Sequence, residues 1–143
     1  MKININMLQH KSADIVKAKN ILEQYGSLTL GNFLADETVV SAAKYQLIVA
    51  IEAAQNICNH LVARLARRAP VSYSDCYVIL RDEGLIDEQL AESLSKMAKF
   101  RNLLVHRYGN IDDEIVYDII KSGNLNNLTT FLSLVNKLVE KGY

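Results

Sequence analysis

Glycine and proline are scarce in this chain, with six glycines and one proline, Pro70, among 143 residues. Long runs without either, rich in leucine, alanine, isoleucine and valine, point to an all-helical fold. Net charge is also missing: Lys plus Arg and Asp plus Glu stand at 16 each. That balance excludes a protein that coats nucleic acid nonspecifically, so any nucleic-acid contact must be local. Zero net charge gives little protection against self-association, which favours an oligomer. No apolar run reaches about 18 residues, so no membrane span is expected. The opening MKININMLQH lacks the apolar stretch of a signal peptide. Of the two cysteines, Cys58 and Cys76, neither belongs to a CxxC pair or has a histidine at metal-binding spacing. They read as buried thiols of a reducing compartment, and the expected location is cytoplasmic. Neither a metal nor another cofactor is indicated.

What is present is apolar. Half the residues are hydrophobic, enough for one domain with a real core and too short a chain for two comfortable ones. A first helix is expected over about 9–25, with Ile15, Ala18, Ile21, Leu22 and Tyr25 on one face and Gly26 ending it. SLTLGNFLAD reads as a linker that turns at Gly31 and Asn32. A long second helix is expected over about 36–68, closed by Pro70. Leu47, Ile51, Ala54, Cys58, Leu61 and Leu65 form a seam in steps of four and three. The seam looks longer than its neighbours can cover, and a second copy of the chain is expected on the surplus. Glu52, Gln55, Asn56, Asn59, His60, Arg64 and Arg67 lie on the other side.

Ser74 is placed to cap a short helix over DCYVILRDE that ends at Gly84. Asp87 should cap a helix over about 88–107, with Gly109 and Asn110 at a left-handed C-cap. Asp112 should cap DEIVYDIIKS, followed by Gly123. A last helix over about 127–141 carries Leu128, Phe131, Leu132, Val135, Leu138 and Val139. The pattern is a single-domain helical bundle of about five to six helices over 1–143, its core at about 8–141.

One stripe breaks this pattern. Leu90, Leu94 and Met97 lead to Arg101, then Leu104 and Tyr108. An arginine on a core-facing stripe must find partners or face a polar cleft. His106 lies five residues on, about 140° around the helix, whereas Asn102 and His106 share a face. A guanidinium grips phosphate as a planar fork, and histidine moves protons near neutral pH. Together they suit RNA cleavage, in which a 2′-hydroxyl attacks the adjacent phosphate and the cation stabilises the developing charge. The same residues also serve as a salt-bridged interface arginine and a helix-end cap. Tyr73, Tyr77 and Tyr117 have rings that stack on bases, but packing inside a bundle accounts for them more simply. His60, Arg64 and Arg107 are candidates for local RNA binding, and a solvated surface accounts for them as well.

RNLLVHRY at 101–108 matches R-x4-H-x-Y, and the chain resembles HEPN-domain proteins of the HepT-like toxin family. The extended RNLLVHRYGNID on its helical frame is more specific than R-x4-H alone. EAAQNICNHLVARL, SYSDCYVILRDEGLIDEQLAESLSKMAKF and IDDEIVYDII extend the likeness from about residue 8 to the end. The resemblance implies a helical bundle that dimerises and brings two motifs together in a cleft. It implies a toxin of a toxin–antitoxin pair acting as a metal-independent endoribonuclease, with an MntA-like minimal nucleotidyltransferase as antitoxin. Carried over, Arg101 holds the scissile phosphate, His106 transfers protons, and Tyr108 accepts AMP from the antitoxin. Asn102 and Glu52 are supporting residues. Asn56 and Asn59 stand where relatives often carry acids. The alternative is a non-catalytic subunit that binds nucleotide or substrate for a nucleotidyltransferase.

Overall fold

The computed structural model describes residues 3–142, and of Tyr108 the backbone alone. Every regular element among them is helical: α1 (Ile5–Gly26), α2 (Leu30–Ala35), α3 (Glu37–Leu65), α4 (Tyr73–Asp82), α5 (Glu88–His106), α6 (Asp113–Lys121) and α7 (Asn124–Glu140). A 3-10 turn, Tyr108–Asn110, follows α5. The expected all-α bundle with one long helix is present, and the long helix is the third element.

α3 has 29 residues, about 43 Å at 1.5 Å per residue. Its start is fixed by Asp36, whose carboxylate accepts the N–H groups of Thr38 and Val39. Leu47, Ile51, Ala54, Cys58 and Leu61 are buried, and α1, α4 and α5 all pack on α3. The seam from Leu47 to Leu61 is therefore covered within one chain, and Leu65 at its end is partly buried against the same core. Fully burying one such leucine or isoleucine stabilises by about 1.5–3 kcal/mol. Lys44 is buried beside it and pairs with Asp113 of α6 at 2.9 Å.

The remaining helices close the core from both ends. Tyr77 of α4 meets Phe131 of α7 edge-on at 5.9 Å, and both are buried. At the other end Phe33 of α2 packs on Tyr117 of α6 at 5.2 Å. The Tyr117 hydroxyl donates to the Leu28 carbonyl, and Lys121 Nζ donates to the Gly26 carbonyl. These bonds satisfy backbone groups at the end of α1 and tie α6 to it.

Several boundaries differ from the sequence reading. The supposed linker contains α2, because Thr29 caps it by accepting Asn32 N–H and Phe33 is drawn fully into the core. α1 begins earlier, capped by Asn4. α3 stops at Leu65, where Ala66 turns extended. Ser72 rather than Ser74 caps α4, accepting Asp75 N–H at 3.1 Å. Gly109 is not left-handed, and the chain leaves α5 through the 3-10 turn. Asp87, Asp112 and Gly84 act as expected. Gly123, at φ 86°, also opens α7, which starts at Asn124.

Candidate nuclease site

Arg101 lies on α5's apolar stripe in the second turn from the helix end, between the buried Met97 and Leu104. Its guanidinium reaches across to α3. Nε donates to Glu52 Oε1 at 2.9 Å, Nη2 pairs with the same oxygen, and Nη1 donates to Asn102 Oδ1 at 3.1 Å. Among the described residues these bonds use three of the five guanidinium N–H groups and leave one on each terminal nitrogen. The partner that the stripe demanded is thus a carboxylate 49 residues away.

Tyr73, the first residue of α4, closes the other side. Arg101 Cζ stands 5.3 Å from its ring centroid, a cation–π distance. Behind it Gln55, buried at 5% exposure, donates from Nε2 to the Tyr73 carbonyl at 3.1 Å and to Asn59 Oδ1 at 3.2 Å. Glu52, Gln55, Asn56, Asn59, Tyr73 and Arg101 line a pocket of about 210 Å³. A wider one of about 520 Å³ adjoins it and shares Tyr73 and Asn59, with Asn102 on its wall. The site combines a cation with free N–H groups, a ring and several amides, which suits a phosphate with a base attached.

The structure brings Arg101, Asn102 and Glu52 together. His106 ends α5, exposed, with no hydrogen bond or ion pair among the described residues. Arg107 follows it, also exposed. The Tyr108 side chain lies outside the described residues. His60 is engaged elsewhere: its Nε2 accepts the Asn4 backbone N–H at 2.8 Å. Burial, and then the nearby Arg64 cation, hold its pKa below the ordinary histidine value. Arg64 is half-buried in the last turn of α3. Neither His60 nor Arg64 lines the pockets at Arg101. Cys58 and Cys76 are both buried free thiols, and burial with the neighbouring Cys76 pushes the Cys58 pKa far up. Sequence reasoning weighs Tyr73 as a base-stacking ring and sets it down to packing, and it gives Gln55 no role at the site. The one local hint was a glutamine inside the apolar run AIEAAQNIC.

Residues 15–135, which include the whole Arg101 pocket, match the family described as ribonuclease HepT-like. The chain belongs to the HepT-like family. A protein of Archaeoglobus fulgidus named as a candidate RNase is 38% identical to this HepT-like chain over 102 residues, 71% of the chain and 76% of the relative. The mRNA nuclease HepT of Shewanella oneidensis is 27% identical over 117 residues, 82% of the chain and 86% of the relative. Among solved structures, the tri-AMPylated HEPN toxin of Shewanella oneidensis in complex with MNT antitoxin superposes with a TM-score of 0.82 at 25% identity. That match covers 92% of the HepT-like chain and 97% of the toxin. The family resemblance drawn from RNLLVHRYGNID is borne out. No helix among the described residues is long and apolar enough to cross a membrane.

Proposed function

We propose that this HepT-like chain is the toxin of a toxin–antitoxin pair and cleaves RNA internally without a metal ion. The observation that carries this reading is the Arg101 guanidinium, held by Glu52 and Asn102 at an open pocket with N–H groups to spare. Those groups bind the scissile phosphate. His106, on the same helix end and open to solvent, takes part in proton transfer. The 2′-hydroxyl loses its proton and attacks phosphorus, and the 5′-oxygen leaves and gains a proton. The products are a 2′,3′-cyclic phosphate and a 5′-hydroxyl. Asn102 steadies the guanidinium through Nη1, and Glu52 sets its position from α3.

The working form is a homodimer whose two R-x4-H motifs share a cleft. Tyr45, Val71, Leu103 and Val105 are exposed large apolar residues, the kind of surface a partner covers. An MntA-like nucleotidyltransferase is the antitoxin, and it neutralises the toxin by transferring AMP to Tyr108. The bulky negative charge there blocks RNA by sterics and by repulsion. Metal independence and the AMP acceptor follow from the family likeness. Expression of the chain alone in a bacterial host should arrest growth. His106→Ala or a co-expressed MntA-like enzyme should relieve the arrest, with AMP on Tyr108 found by mass spectrometry in the second case. Unimpaired growth with unmodified protein present would contradict the reading.

A further inference from the structure

The three tyrosines with base-stacking chemistry separate in the structure. Tyr77 is 1% exposed and packed on Phe131, and Tyr117 packs on Phe33 and spends its hydroxyl on Leu28. Tyr73 alone of the three is exposed, at 45%, and it is the one beside Arg101. The guanidinium stands over the ring centroid, and the residue keeps its exposure beside it. Both pockets at the site share Tyr73 and Asn59.

Resting on the nuclease reading, we propose that Tyr73 is a nucleobase platform that determines which RNA is cut. The base flanking the phosphate held by Arg101 stacks on the Tyr73 ring, and its edge meets Asn59. Gln55 is the brace of this unit. Buried and fixed by two bonds, it donates at once to the Tyr73 carbonyl and to Asn59 Oδ1. That orientation commits the Asn59 oxygen to Gln55 and, among the described residues, leaves its Nδ2 N–H groups to donate to an acceptor on the base. A stacked base in a duplex cannot reach such a platform, so the substrate class is single-stranded RNA with an unstacked base next to the cut. Base–aromatic stacking tolerates any base, and the Asn59 donor adds the selection among them.

The test uses the full chain with His106→Ala, a fluorescein-labelled single-stranded RNA oligonucleotide, and an abasic nucleotide stepped through every position. One or two adjacent abasic positions should weaken binding about 5- to 100-fold. Tyr73→Leu in the same background should weaken binding of intact RNA by a similar factor, and the abasic position should then cost nothing more. Tyr73→Phe should bind like the parent. If Tyr73 only steadied Arg101, the Tyr73→Leu loss would be the same on intact and abasic RNA, and the inference would fall. It would also fall if Tyr73→Leu bound as the parent does, while cleavage by the unaltered chain would leave the nuclease reading standing. Absence of RNA binding by the His106→Ala chain would overturn both.

Discussion

Glu52 on α3 and Arg101 on α5 form an ion pair that crosses the bundle, with Arg101 Nε 2.9 Å from Glu52 Oε1. The arginine side chain is 18% exposed and the carboxylate 44%. Water screens such a pair, so its contribution to stability is on the order of 1 kcal/mol or less. Its larger effect is geometric, since it points a guanidinium that would otherwise sweep through several rotamers.

Glu52→Gln should therefore separate binding from turnover. Removing a negative charge beside the phosphate site lowers KM for RNA. Loss of the charged anchor lets Arg101 wander, and kcat should fall roughly 10- to 100-fold. Steady-state kinetics on one RNA substrate reads both. A fall in kcat with no change in KM would place the carboxylate away from the bound phosphate.

His60 ties stability to pH. Its Nε2 accepts the Asn4 N–H at 2.8 Å, so the folded state needs the imidazole neutral there. Its folded pKa lies below the ordinary value of 6.5. A histidine lowered in this way contributes stability that is fully present above about 6.5 and lost as pH falls through the folded pKa. Thermal unfolding from pH 8 down to pH 5 should show this loss. His60→Gln should remove it, and amide exchange at Asn4 should quicken in step with imidazole protonation.

Gly26 marks the close approach of α1 to α6. A Cβ there would stand 2.9 Å from Ile120 Cγ2, and Ile120 is buried. Gly26→Ala should cost about 1–3 kcal/mol through overpacking. Chemical denaturation gives the value, and cleavage per folded molecule should not change, because the Arg101 pocket is lined from α3, α4 and α5.

The core between α4 and α7 should respond more strongly. Phe131 is fully buried against Tyr77, and Phe131→Ala should cost about 3–5 kcal/mol. α4 also carries Tyr73, so the same variant should weaken RNA binding before it unfolds the chain. Denaturant titration followed by RNA binding below the transition separates the two effects.

The parts of this fold that sequence reading reached are those set by local chemistry. Asp87 and Asp112 cap helices because a short carboxylate meets free N–H groups within three residues, and Gly84 takes the positive φ that others avoid. α2 escaped because Gly31 and Asn32 signal a turn, while the force that makes the helix is distant: Phe33 packing on Tyr117. At the site, Arg101 stood out by breaking its stripe, and Asn102 as its neighbour. Glu52 enters only as a supporting residue implied by the family resemblance, and its pairing with Arg101 was not legible, since 49 residues separate the two. Tyr73 reads with Tyr77 and Tyr117 as a ring able to stack on bases but more simply explained by packing, and nothing local sets it apart from the other two. Its exposure depends on where α4 begins, and Ser72 rather than Ser74 decides that.

RNA cleavage by the purified, unmodified chain in EDTA tests the central claim most directly, with Arg101→Ala and His106→Ala beside it and the product ends analysed. The account predicts cleavage that leaves 2′,3′-cyclic phosphate and falls at least about 100-fold in each variant. Cleavage that persists in both variants, or none from chain whose mass excludes AMP on Tyr108, would contradict it.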